Sequence, residues 1–253
     1  MISTVNPSQF PMEDTQVKKT LIGLMRCLTV LAFTLTAMAA GKDGVVLSKD
    51  GRQTIKTDGP SKGQPYLGNN AGLTVIFDNL AHKYPDGLYW CCAGGTVEGS
   101  GGGGPEWWQA AAFTPSTTLN VTKIEIAVGY LAGTYTHVFL SLNNDDGTGR
   151  PGIMLKKWKV SGMPNFGSCC TVETKTSAGI PVTAGTQYWV VLSTENKSDV
   201  WSAWNTDDTR QLLTEGIPQA YYCHSTAGDC GSANGVWTPY QGYPGSAFAV
   251  FGK

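Results

Sequence analysis

The stretch LNVTKIEIAVGYLAGTYTHVFLSLNNDDGTGRPG, residues 119–152, decides the fold class. Ile124, Ile126, Val128 and Tyr130 alternate with Lys123, Glu125, Ala127 and Gly129. After Leu131-Ala132-Gly133, Val138, Leu140 and Leu142 alternate with His137, Phe139 and Ser141. A period of two puts every second side chain on one face, so each run reads as a strand with one buried and one partly wet face. The two runs in succession predict a β-hairpin. Asn143-Asn144-Asp145-Asp146-Gly147 then ends the alternation with turn formers, and Arg150-Pro151-Gly152 closes the loop.

The remainder of the chain agrees with this. Charged residues make up only 15% of the 253, Gly contributes 32, and Trp and Tyr contribute 8 and 10, which suits a many-turned sheet protein. Beyond the N-terminus no window sustains the i, i+3, i+4, i+7 spacing of an amphipathic helix. Short strands are expected at 74–77, 107–113, 153–160, 169–174, 180–182, 188–192, 200–204, 220–223, 236–238 and 247–251, with Gly99 to Pro105 as loop. Tyr188-Trp189-Val190-Val191-Leu192 is apolar on both faces and reads as central. Phe248 and Val250 lie almost at the end of the chain, so the last strand is expected to supply core. The pattern predicts an all-β, two-sheet antiparallel β-sandwich, jelly-roll-like, over residues 74–253.

Residues 1–39 read as a signal peptide. Lys18 and Lys19 precede an apolar run from Leu21 to Ala40, broken by Arg26, and Ala37-Met38-Ala39 has the small-x-small pattern of a cleavage site. Met25-Arg26 would serve as a compact alternative start. A retained anchor is the competing reading of the same run. Residues 40–73 are polar with little periodicity and read as a flexible linker. The expected location is therefore secreted, periplasmic or extracellular, with no membrane association once the leader is removed.

Export gives the cysteines meaning. Six remain beyond Cys27: Cys91, Cys92, Cys169, Cys170, Cys223 and Cys230. Cys223 and Cys230 bracket a short polar loop and are expected to bridge. Adjacent residues on a strand point to opposite faces, so the doublets Cys91-Cys92 and Cys169-Cys170 cannot readily bridge pairwise, and their pairing stays open. Their spacing is also poor for zinc.

Catalytic signatures are missing. The three histidines, His82, His137 and His224, fall in no His-x-His or His-Glu-x-x-His motif, and no Gly-x-Ser-x-Gly occurs. Nothing in the sequence brings two of Glu106, Glu125, Glu173 and Glu195 to a working separation for glycoside cleavage. The net charge of −1 gives no reason to expect nucleic acid, and Lys156, Lys157 and Lys159 read as the solvated face of a strand. Asp145 and Asp146, with Asn143 and Asn144, form the candidate calcium loop, although the same residues dominate turns for conformational reasons. No other cofactor is indicated. Aromatic side chains make the binding case: Trp107, Trp237 and Tyr240 are the residues expected to be exposed as ligand platforms, with Trp158, Trp189 and Trp201 in the core.

Several segments, in order, resemble the choice-of-anchor R domain, a family of exported bacterial proteins. They are Ile76-Phe77-Asp78-Asn79-Leu80, Trp108 to Pro115, Val121 to Tyr130, Val138 to Asn143 leading to Pro151-Gly152, Pro164-Asn165-Phe166-Gly167, Ala184 to Val191, Trp201 to Asn205 and Phe248 to Phe251. The likeness covers residues 74–253. It implies a β-sandwich in an extracellular setting and brings no catalytic residues. The family's members end in varied surface-sorting tails; this sequence ends at Lys253 without one, which favours free release over attachment. The function expected is a non-catalytic exported module that binds a polysaccharide or matrix surface. The alternative is a structural or protein-binding component of the cell envelope, and a hydrolase with a dispersed site is a third reading.

Overall fold

A computed structural model describes residues 45–47, 53–56, 72–80, 89–166, 171–195, 197–207, 220–225, 230–231, 235–239 and 245–253. The leader at 1–39, His82, Cys169, Cys170 and Tyr240 lie outside them. Among the described residues there are fourteen strands, one short 3-10 turn at Ser100–Gly102 and no α-helix. In chain order the strands are β1 (Val45–Leu47), β2 (Gln53–Lys56), β3 (Thr74–Asp78), β4 (Tyr89–Glu98), β5 (Glu106–Phe113), β6 (Leu119–Ala132) and β7 (His137–Asp145). There follow β8 (Pro151–Ser161), β9 (Thr171–Val182), β10 (Tyr188–Ser193), β11 (Trp201–Asp207), β12 (Ala220–Ser225), β13 (Trp237–Pro239) and β14 (Phe248–Gly252). All pairings between them are antiparallel.

They form a two-layered sandwich. One layer runs β8-β7-β10-β5-β12-β13. The other is built on β6, whose first half pairs with β9 on one side and β14 on the other, with β3 beyond β14. The last residues of β6 pair with β11, which continues to β4, β2 and β1, and β4 joins the first layer where Glu98 pairs with Trp107 of β5. Between the layers lies one apolar core. Ala111, Phe113, Val138, Leu140, Leu142, Tyr188, Val190 and Leu192 come from the first layer; Ile124, Ile126, Val128, Val182, Trp204, Phe248 and Val250 come from the second. Phe248 stacks on Phe77 at 4.5 Å and meets Trp204 edge-on at 5.9 Å. The last strand is thus core, as its sequence predicts.

The hairpin expected from residues 119–142 is not formed. β6 and β7 have no pairing with each other; they stand in opposite layers, and their apolar rows face across the core. Both keep the alternation, because a strand needs one buried face whichever layer it joins. The connection lacks a tight two-residue turn sequence, and a neighbouring loop holds it as an arch. Asp199 accepts the backbone N–H groups of Thr134 and Tyr135 at 2.8 and 3.0 Å. Gly133, at φ 115°, lies so close to this loop that a Cβ would sit 2.3 Å from the Asp199 carbonyl oxygen. The true hairpin is β7–β8, closed where the N–H of Asp146 donates to the Arg150 carbonyl.

Three further expectations change. β1 and β2 fall within the stretch expected as linker, and the compact unit begins at Gly44. β4 was not expected at all. The face of β6 expected to be partly wet is covered: Lys123 and Glu125 are buried, paired at 2.5 Å, with the ammonium 4.9 Å from the Phe251 ring centre.

Candidate functional site

The three aromatic residues expected as a platform do not make one. Trp107 is buried, with 5% of its surface exposed. In register, β5 places it beside His224 of β12, and the His224 and Tyr222 rings lie 4.2 and 5.7 Å from its own. Trp237 is half-buried on the other side of this layer, packed against Ala110, Ala112, Trp189 and Val191. Its cross-strand partner is Cys223, which pairs with Trp108, the neighbour of Trp107, so Trp107 and Trp237 occupy opposite faces. Tyr240 lies outside the described residues. Of the tryptophans expected in the core, Trp189 is buried on the outward side of its layer, Trp158 is partly buried against the core, and Trp201 is half-buried outside it. Trp204 is the fully buried core indole, donating Nε1–H to the Ala247 carbonyl at 2.9 Å.

What the topology does bring together is a cross-strand row: Trp201 of β11, Glu98 of β4, Trp107 of β5 and His224 of β12. Directly opposed residues in antiparallel strands share a face, with Cβ atoms about 5 Å apart. Glu98 ends β4 just before the glycine-rich loop. That loop docks tightly: Gly99 N–H donates to Val200, Gly101 N–H donates to Ser198, and a Cβ on Gly101 would meet the Lys197 carbonyl at 2.0 Å. Gly104 sits against the carboxyl itself, its would-be Cβ 3.0 Å from Oε1. Burial raises the Glu98 carboxyl to about 7, so at neutral pH it exists in both donor and acceptor forms. Partial burial also lowers His224 below the ordinary imidazole value. The indole N–H of Trp107 is buried with no hydrogen-bond partner. Its donor capacity is thus unspent beside a carboxyl that titrates near neutrality. Sequence reasoning missed Glu98, because the glycines before and after it read as loop.

The other acids are committed elsewhere. Glu106 is buried, its Oε2 accepting Cys230 N–H at 3.0 Å and its Oε1 accepting the Thr194 hydroxyl at 3.4 Å. Glu125 and Glu173 are direct cross-strand neighbours, but Glu125 is fully buried beside Lys123, out of a substrate's reach. Glu195 stands 3.4 Å from His137. The expected bridge between Cys223 and Cys230 is present. Cys91 and Cys92 are adjacent on β4. Among the described residues, no helix is long and apolar enough to cross a membrane.

Asp145 and Asp146, the candidate calcium residues, are engaged by the turn. Asp145 Oδ1 accepts the N–H groups of Gly147 and Gly149 at 2.7 and 3.2 Å; Oδ2 accepts Gln187 Nε2 at 2.9 Å and the Trp189 indole at 3.0 Å. Asp146 accepts Thr148 N–H and hydroxyl and Arg150 N–H. The Asp145 oxygens are taken up by these donors, whereas calcium needs about six to eight oxygens. Among the described residues no three His, Cys, Asp or Glu side chains cluster to hold a metal. Burial works to raise both carboxyls, and the hydrogen bonds outweigh it, so both lie below the usual carboxylate value.

Comparison with protein-family models, with curated proteins and with solved structures finds no match to this chain.

Proposed function

We propose that this chain is a non-catalytic, exported β-sandwich module that binds a polysaccharide, with Trp201, Glu98 and His224 of this row as its contact surface. The observation that carries this reading is the placement of a near-neutral carboxyl between two indoles and an exposed imidazole on four adjacent strands. Sugar hydroxyls ask for fixed donors and acceptors next to a ring face, and rigid strands supply these with little ordering cost on binding. Glu98 offers either polarity, half-buried Trp201 and the exposed His224 ring offer faces, and buried Trp107 supports the row from beneath. The alternative, a protein-binding or structural component of the envelope, uses no particular feature of this row.

Retention of the full chain on insoluble polysaccharides tests the proposal. Binding is expected, weakened about tenfold by His224→Ala and by Glu98→Ala, each removing on the order of 1.4 kcal/mol. No retention on any polysaccharide, or retention indifferent to both variants, would refute it. Self-association on a sizing column without polysaccharide retention would favour the alternative.

A further inference from the structure

We propose that the first half of β8 docks onto an anionic lipid surface, with Ile153, Met154 and Leu155 entering the acyl boundary and the lysines that follow meeting the headgroup phosphates. β8 is the outermost strand of its layer. Ile153 is 75% exposed, Met154 50% and Leu155 41%, three consecutive large apolar side chains in water. Isolated exposed apolar residues are ordinary, but a contiguous set marks a contact surface. Lys156, Lys157 and Lys159 follow at once and are exposed. Lys157 is held 3.9 Å over the Phe139 ring, which fixes its ammonium on the outer face. On the hairpin itself, the other charges near this strand are Arg150 and the two aspartates of the preceding turn. Four cations against two anions leave the end of this hairpin positive, although the whole chain carries −1.

The same strand argues against other occupants. Its pairing with β7 slips twice, between Leu142 and Asn143 and between Asn143 and Asp145, so the apolar residues sit in a bulged edge. Lys156 pairs with Leu142, a core-facing residue, and therefore points inward from an exposed edge. Bulges and inward lysines are the devices by which edges reject an added strand. A second copy pairing here would also bring lysines close to lysines. A polysaccharide gains little from aliphatic side chains, which lack the flat ring face that sugars stack on. An acyl boundary ringed by phosphates suits both halves of the patch, because aliphatic area and basic charge each contribute to peripheral membrane binding. The proposal concerns surface contact rather than a span.

The test uses the full chain with vesicles of phosphatidylcholine containing phosphatidylglycerol, against phosphatidylcholine alone. Hydrogen exchange of the peptide covering 151–161 is read alongside co-sedimentation. Anionic vesicles are expected to slow exchange in β8. Ile153→Ser with Leu155→Ser, and separately Lys157→Gln with Lys159→Gln, should each weaken co-sedimentation about tenfold. Added salt should affect the wild type more than the lysine variant. All four side chains are exposed, so an unchanged circular-dichroism spectrum is expected and confirms that the variants fold. Unaltered exchange in β8, or co-sedimentation that both variants retain, overturns the proposal and places any membrane contact elsewhere on the chain. Protection of β8 that appears with protein concentration and no vesicles overturns it in favour of a second copy. Polysaccharide retention should be unaffected by the β8 variants, so this proposal and the preceding one fail separately.

Discussion

Replacing Asp145 by alanine should destabilise the sandwich far more than a substitution in a surface turn. The carboxylate joins two parts of the chain that are distant in sequence: the β7–β8 turn through Gly147 and Gly149, and β10 through Gln187 and Trp189. Trp189 is fully buried, so its indole N–H, once deprived of Oδ2, depends on water entering where the carboxylate stood. An unsatisfied buried donor costs about 1–3 kcal/mol. The turn N–H groups and the Gln187 amide are nearer solvent and can rehydrate, adding roughly 1 kcal/mol together. The expected loss is therefore about 2–4 kcal/mol, or roughly 5–15 °C in Tm for a domain of this size. Asp146→Ala is the internal control. Its partners Thr148 and Arg150 belong to the turn alone, so its cost should stay near 1 kcal/mol.

Urea unfolding of wild type, Asp145→Ala, Trp189→Phe and the double variant gives the coupling directly. Phe keeps most of the buried ring and removes the donor, so Asp145→Ala should be about 1–2 kcal/mol less costly in that background. The acid limb supplies an independent check. Asp145 has a folded value below the ordinary carboxylate value, so its contribution is present above that ordinary value and is lost as pH falls through the folded one. The wild type should accordingly lose stability below about pH 4 more steeply than Asp145→Ala does. Zero coupling with Trp189→Phe, or a loss no larger than that of Asp146→Ala, would refute the role assigned to this carboxylate.

Glu98 carries the opposite sign. Its folded value is raised, so its contribution is intact below the ordinary value and declines as pH rises from 4.5 to about 7; Glu98→Gln, which cannot ionise, should be relatively more stable at alkaline pH by about 1–2 kcal/mol after allowance for solvent screening of its exposed part. Thermal melts across that window check this. Gly101→Ala should cost about 1–3 kcal/mol by forcing the glycine loop off the Lys197 carbonyl, measured by urea titration. Phe248→Ala removes a ring packed between Phe77, Phe113 and Trp204 and should cost about 3–5 kcal/mol by the same assay. Reducing the Cys223–Cys230 bridge, which spans a sequence separation of 7, should cost about 2–3 kcal/mol, read as the difference between melts with and without reductant.

The strands with clean alternation or dense apolar runs were legible in sequence, as β3, β5, β8, β10 and β14 show. β4 was not, because YWCCAGGTVE has no period of two and its glycines suggest a loop. Those glycines answer to packing instead. A Cβ on Gly95 would fall 1.9 Å from the Gln109 amide, and one on Gly94 would fall 2.6 Å from the Trp204 carbonyl oxygen. Glycine here lets a side chain and a neighbouring strand come close, which one segment read alone cannot reveal. The exposure of Trp107 was misjudged for a related reason. Its cover comes from Tyr222 and His224, more than a hundred residues along the chain, and no local pattern announces that β12 lies beside β5. Asp145 shows both sides of the matter: its turn was legible from neighbouring residues, whereas its bond to Trp189 joins positions 44 apart.

The failed hairpin marks where alternation stops carrying information. Alternation records which side chains leave water, and leaves open which strand supplies the hydrogen bonds along the edge. Two strands that are consecutive in one layer and two that face each other across the core bury the same residues. Val128 and Val138 would both be covered under either topology. The choice falls to the connection, and here the connection is tied down from outside. The Asp199 carboxylate takes the Thr134 and Tyr135 amides, and this draws it below the usual carboxylate value. Gly133 provides the positive φ and the absence of a Cβ that let the strand turn against the 197–200 loop. That loop also receives the glycine run that follows Glu98, through Gly99 and Gly101. A single segment therefore anchors both the crossing between layers and the strand end that carries the candidate binding carboxyl. Substitutions in 197–200 should act on fold and on Glu98 together, whereas changes at β8 leave that support untouched.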